Sequence, residues 1–207
     1  MSANDNAPKA AKGGITPSQT VGPYFHYALT PTDYPFTNWI ATGDLVTPDT
    51  GGQKIRVEGR VLDGEGAPVP DAIVEIWQAD ANGIYPSPAD NRARANSSFR
   101  GTGRAPSGTD GGFAFDTVKP GAVPGPQGQM QAPHINVLVL GRGLLKQLHT
   151  RIYFADEAGN AADPVLMLVA DAARRATLIA RPVAGRAGVY AFDIRLQGDG
   201  ETVFFAV

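Results

Sequence analysis

The sequence contains no cysteine, which removes disulfides, thiolate metal sites and thiol nucleophiles together and suits a reducing compartment. Histidine is scarce: His26, His134 and His149 are the whole supply, so an imidazole metal site would need distant segments to converge. No excess of one charge exists either. Eighteen basic and 20 acidic side chains leave a net charge of -2, and no block of Lys or Arg could release counterions from a nucleic acid, so no nucleic-acid partner is expected. Long apolar runs are missing too. Nothing approaches the roughly 20 residues of a spanning helix, and the opening MSANDNAPKAAKGG lacks the apolar centre of a secretory signal. The expectation is a cytoplasmic chain with no membrane partner.

What is present is a core-forming composition, 43% hydrophobic against 18% charged over 207 residues, enough for one globular β domain of generous size. Residues 1–14 are small, polar and aperiodic, so burial would not offset their ordering entropy, and they read as a flexible tail. Residues 15–48 are dense in aromatics but interrupted by prolines that break strand ladders; they read as an irregular N-terminal arm that packs by its side chains. Residues 49–207 form a series of strand patterns: 54–63, 72–80, 111–118, 134–141, 148–156, 189–198 and 202–207, each rich in β-branched or aromatic residues and separated by Gly and Pro turns. Together they predict an all-β fold with a β-sandwich core. One short helix is expected near 164–175, with Asp163 as its N-cap, Pro164 in the first helical position, and Arg174 and Arg175 in its last turn.

The chemistry centres on QAPHINVLVLGRG, 131–143, where His134 and Asn136 stand at the head of a buried strand pattern. A lone histidine is more often a satisfied hydrogen-bonding residue than a ligand. Around it stand TPSQTVGPYFH (16–26), VEIWQADANGIY (74–85), SFRGTGR (98–104), FDTVKPG (115–121), HTRIYF (149–154) and GETVFF (200–205). Taken in this order the motifs resemble the intradiol ring-cleavage dioxygenases, over nearly everything from Thr16 onward.

The resemblance implies a fold and a chemistry. Catalytic chains of that family hold a non-heme ferric ion with two tyrosinates and two histidines, the latter as an H-x-H pair; phenolates are hard anionic donors that favour the ferric state. At the matching positions this chain has His134 but Asn136, Val123 where one tyrosine belongs, Asn91 or Arg92 near the other, and Gln131 in place of a nearby arginine. The resemblance therefore implies that Fe(III) sits in a homologous partner chain, the β subunit, and that this chain is a non-catalytic α subunit within a higher-order αβ oligomer. The complex would cleave 3,4-dihydroxybenzoate with O2. No catalytic and no metal-ligating residue is assigned here. Thr20, Gly22, Pro23 and Tyr24 of the arm, with Arg142 of the GRG turn, are the expected contributors to the partner's substrate pocket, arginine being suited to an anionic aromatic acid.

Each of these residues also has a plainer reading: Tyr24 as arm packing, Gly22-Pro23 as a turn, Arg142 as a solvated loop residue. Trp77, Phe204 and Phe205 are assigned to core or subunit interface. Two other functions stand beside the subunit reading: a stand-alone β-sandwich module binding an aromatic or carbohydrate ligand, and a metalloenzyme using His26, His134 and His149.

Overall fold

A computed structural model of the chain describes residues 19–22, 25–30, 41–92 and 98–206. The expected tail, 1–14, lies outside the described residues, as do Pro23 and Tyr24. A short α1 (Phe25–Leu29) precedes the strands β1 (Lys54–Leu62), β2 (Ile73–Gln78), β3 (Thr102–Pro106), β4 (Gly112–Val118), β5 (Val123–Pro124) and β6 (Met130–Gln131). Then follow β7 (His134–Leu140), β8 (Leu148–Phe154), α2 (Ala172–Ala176), β9 (Ile179–Pro182), β10 (Val189–Ala191) and β11 (Ile194–Arg195). Alternating side chains put Val57 and Val61 of β1, Phe113 and Phe115 of β4, and Ile135, Val137 and Val139 of β7 inside, as period-two geometry requires.

Nine strands form one sheet, β5 and β6 pairing separately. β1 carries β4 antiparallel on one edge; on the other run β10 beside Arg56–Glu58 and then β11 beside Val61–Leu62, both parallel. From β10 the sheet continues through β9, β8, β7 and β2 to β3. It curls until its two ends approach, so the faces expected of a sandwich are opposite walls of a nearly closed barrel around one core. Thr42–Leu45 fills the remaining seam. The Arg104 N–H donates to the Thr42 carbonyl at 3.0 Å, the Asp116 N–H to that of Gly43 at 2.8 Å, and the Leu45 N–H to that of Asp116 at 2.8 Å. Both edge strands are thereby covered, which removes the exposed ladders that invite aggregation. Glycine is required at 43, since a Cβ there would sit 2.7 Å from the Ala114 oxygen.

The structure departs from the sequence pattern in several places. The strand expected over 189–198 is divided into β10 and β11, because the chain turns at Phe192, whose carbonyl comes within 1.7 Å of where a Cβ on Gly59 would be. At the C-terminal end, 202–206, only an isolated bridge between Phe205 and His149 forms. The helix expected near 164–175 is reduced to a 3₁₀ turn, Leu166–Leu168, and α2, capped by Asp171. Asp163 Oδ1 does accept from the Val165 and Leu166 N–H groups at 2.9 and 2.7 Å, but the Tyr153 hydroxyl donates to the same oxygen at 3.0 Å, and Oδ2 accepts from the Ala132 N–H at 2.7 Å. A fully buried carboxylate serving the core in this way anchors a loop, and the helix starts only where Asp171 is free to cap it.

One buried polar clasp joins the walls. The Gln78 amide at the end of β2 donates to the Val118 carbonyl at 2.9 Å and accepts from the Thr117 hydroxyl at 2.9 Å; Gln78 and Thr117 are both 0% exposed. Gln78→Leu would keep the volume but strand two buried polar groups, costing about 1–3 kcal/mol. Urea unfolding of the variant should show a lower midpoint with unchanged slope; an unchanged midpoint would mean the clasp contributes nothing net.

Candidate functional site

The head of β7 and the turns facing it build the first pole of the molecule. The Asn82-Gly83 turn and the loop after Pro120 pack so closely that a Cβ on Gly83 would lie 2.0 Å from the Ala122 oxygen, while the Gly121 N–H donates to the Asp80 carbonyl at 2.9 Å. Gly83 has φ +74, a backbone that glycine adopts without strain. This contact sets Val123 beside Tyr85 and Trp77 in a cleft of about 350 Å³, with Asp90 and Arg92 at its side.

His134 lies at the back of this cleft, 3% exposed. Its Nδ1 is 2.8 Å from the Ala132 carbonyl, so the neutral ring donates there, and its Nε2 faces the Tyr85 hydroxyl at 3.5 Å. Burial pushes its pKa down to about 4, with the Arg151 guanidinium acting in the same direction. Asn136 donates to the Trp77 carbonyl at 3.2 Å and to the Tyr85 hydroxyl at 3.1 Å. Tyr85 stacks on Trp77, centroids 5.8 Å apart, and burial raises its phenol pKa. Arg151 donates to Gln131 at 2.8 Å and to the Tyr153 hydroxyl at 3.3 Å. Arg92 is held bidentate by Asp90, at 2.8 and 2.6 Å.

The donor set does not fit ferric iron. Both nitrogens of His134 have partners, Asn136 offers a neutral amide, Val123 offers no donor, and burial resists formation of a Tyr85 phenolate. A trivalent cation needs anionic oxygens that this cleft lacks. His149 pairs with Leu138 and His134 with Tyr153 on the same two strands, four residues apart or roughly 13 Å at strand rise, so these two imidazoles share no coordination sphere. The His26 side chain lies outside the described residues. Among the described residues no group of three or more His, Cys, Asp or Glu is placed to hold a metal.

Two of the pocket residues expected from the sequence, Thr20 and Arg142, come together at the opposite pole. Past the far end of β7, roughly 20 Å from His134 by strand rise, the Gly143 N–H donates to the Thr20 hydroxyl at 2.7 Å, and the Arg142 guanidinium pairs with Asp71 at 2.7 Å. Gly22 is exposed, with nothing within 4 Å of where its Cβ would be. Thr20 and Arg142 are thus brought together across more than a hundred residues of chain. Pro23 and Tyr24 are not described. Sequence reasoning missed Tyr85, Arg151 and Asp163; hairpin register was the signal for one of them, because Arg151 is the direct cross-strand partner of Asn136.

Comparison with known proteins agrees with this geometry. Residues 20–198 match the family model described as Dioxygenase. The chain is 48% identical over 198 residues, 93% of this chain and 97% of the relative, to the protocatechuate 3,4-dioxygenase alpha chain of Burkholderia cepacia. It is 36% identical to the beta chain from the same organism, over 84% of this chain and 75% of the relative. Among solved structures, the dioxygenase domain of a dioxygenase carbohydrate-binding protein fusion from Streptomyces sp. SirexAA-E superimposes with a TM-score of 0.58 at 29% identity, covering 88% of this chain and 98% of that domain. The chain belongs to the intradiol ring-cleavage dioxygenase family. Within it, the chain is homologous to the alpha chain of protocatechuate 3,4-dioxygenase.

The buried His134 makes stability depend on pH in a defined sense. Its folded pKa of about 4 lies below the ordinary value of 6.5, so between these values the unfolded chain holds the extra proton. The stabilisation is complete above pH 6.5 and is lost as pH falls towards 4, by about 1.4 kcal/mol per unit and on the order of 3 kcal/mol in all. His134→Gln should flatten the unfolding free energy across pH 4–6.5 relative to the parent chain. An identical pH slope in both proteins would remove His134 as its source.

Proposed function

We propose that this chain is the non-catalytic α subunit of a protocatechuate 3,4-dioxygenase. It would pair with a homologous β subunit that holds Fe(III), in a higher-order cytoplasmic αβ assembly. The complex opens 3,4-dihydroxybenzoate (protocatechuate) between its hydroxyl-bearing carbons, both atoms of O2 entering the product, 3-carboxy-cis,cis-muconate. The observation that carries this reading is the chemistry of the His134 cleft: a family fold whose ligand positions present one engaged imidazole, an amide, an alkyl side chain and a paired guanidinium.

The chain's own part is to bind and orient. Thr20 of the arm meets the exposed Arg142–Gly143 turn, and Arg142 projects there with a side chain 55% exposed. A guanidinium at that edge attracts the substrate's carboxylate as the ring enters the neighbouring subunit, and its planar fork fixes the orientation of that group. Thr20 restrains the turn through the Gly143 N–H. No proton transfer by this chain is required.

Two experiments test the proposal. The chain should be produced alone and together with its β partner, with iron content and the tyrosinate-to-iron visible absorption measured in each. Iron and colour only in the joint preparation are expected; iron and turnover in the lone chain, or neither in both preparations, would overturn it. In the complex, Arg142→Ala should raise KM for 3,4-dihydroxybenzoate about tenfold or more, the scale of one charged hydrogen bond, at unchanged iron content. Unchanged turnover at sub-saturating substrate would remove Arg142 from the pocket.

A further inference from the structure

Asp71 is the one described non-glycine residue with a left-handed backbone, φ +72. It follows Pro70 in a tight turn leading into β2, at the position of a Pro-led turn that glycine fills without strain and other residues fill at a cost. Nothing about the turn itself calls for a carboxylate. The turn is held rigidly: the buried Ser107 hydroxyl donates to the Val69 carbonyl at 2.8 Å and accepts from the Ala72 N–H at 2.8 Å, and the Asp71 N–H donates to the Ser107 carbonyl at 3.3 Å. From this fixed base the Asp71 carboxylate reaches Arg142 Nη2 at 2.7 Å. Guanidinium presents five N–H donors in a rigid plane, so one edge engaged by Asp71 leaves the others for a second anion. The backbone of the turn that carries Arg142 is restrained in its own right by Thr20, which accepts from the Gly143 N–H.

We propose that Asp71 is a positioning residue: it holds the Arg142 side chain, by one edge of its guanidinium, in the orientation that receives the carboxylate of the aromatic substrate. The inference rests on the substrate-facing reading of Arg142 and adds the residue that acts through it. A long exposed arginine loses rotamer freedom when it binds an anion, and prior restraint by Asp71 reduces that loss.

The sign of the effect separates positioning from simple charge. As a negative charge near an anionic substrate, Asp71 alone would weaken binding, so its removal should lower KM. As a positioning residue its removal should raise KM. The test uses the αβ complex with Asp71→Gly, which suits the left-handed backbone and so spares the fold. A KM for 3,4-dihydroxybenzoate raised about fivefold, the scale of one side chain's ordering, with kcat and iron content unchanged, supports the proposal. So do partial recovery in Asp71→Glu and no further rise when Asp71→Gly is combined with Arg142→Ala. An unchanged or lowered KM in Asp71→Gly, while Arg142→Ala still raises it, overturns the positioning role and leaves the pocket role of Arg142 standing. An unchanged KM in Arg142→Ala overturns both.

Discussion

Strand β7 is the constraint on which the rest of the molecule depends. Its alternation commits Ile135, Val137 and Val139 to the core, and a slip of one residue would move all three to the other face. That register is secured on both sides, by β2 and by β8. Once it is set, so are the two ends: His134 and Asn136 are held under the Tyr85 cleft, and the Gly141–Gly143 turn is delivered to the arm. One rigid rod thereby separates the buried His134 from the exposed Arg142. A loop could not hold two such groups apart with the same fidelity, because irregular backbone lacks the ladder of hydrogen bonds that resists bending.

The closure of the sheet serves the same end. A curled sheet of this size ends in two edges, and Thr42–Leu45 stitches them together from within the sequence expected to form the arm. The start of the globular body is therefore tied to the N-terminal segment that carries Thr20. Burial of Gln78 and Thr117 between the walls adds direction to what apolar packing alone would leave loosely specified, since a fully satisfied polar pair tolerates few alternative alignments.

Much of this was readable in the sequence because it rests on local pattern. Alternation exposed β1, β4, β7 and β8, and the motifs taken in order carried the resemblance to the family. β3 was hidden: Thr102–Pro106 has only Gly103 and Ala105 at its buried positions, where an alternating strand would show larger apolar residues, and it is a strand only because β2 lies beside it. α2 was misplaced because Asp163 satisfies the local rule for a cap while its carboxylate is claimed by Tyr153 and Ala132 from distant parts of the chain. The same limit applied to the site. The missing ligands could be counted once the family resemblance marked their positions, whereas the role of Tyr85 in occupying both His134 and Asn136 needs three elements in one place.

The composition of the cleft also explains how its buried polar groups are accommodated by the chain's own side chains. Anionic ligands gathered for a trivalent ion would repel one another once that ion was gone, and burial would add a desolvation cost to each. Here the positions hold groups that are satisfied locally, amide to phenol and imidazole to carbonyl, and the Arg151 guanidinium beside them is engaged by a glutamine and a phenol. The remaining cation, Arg92, is matched by Asp90 and the Gly83 carbonyl. The depletion of donors and the mutual satisfaction of the groups that remain are therefore one physical fact, and at the other end of β7 the exposed Arg142 meets solvent and Asp71.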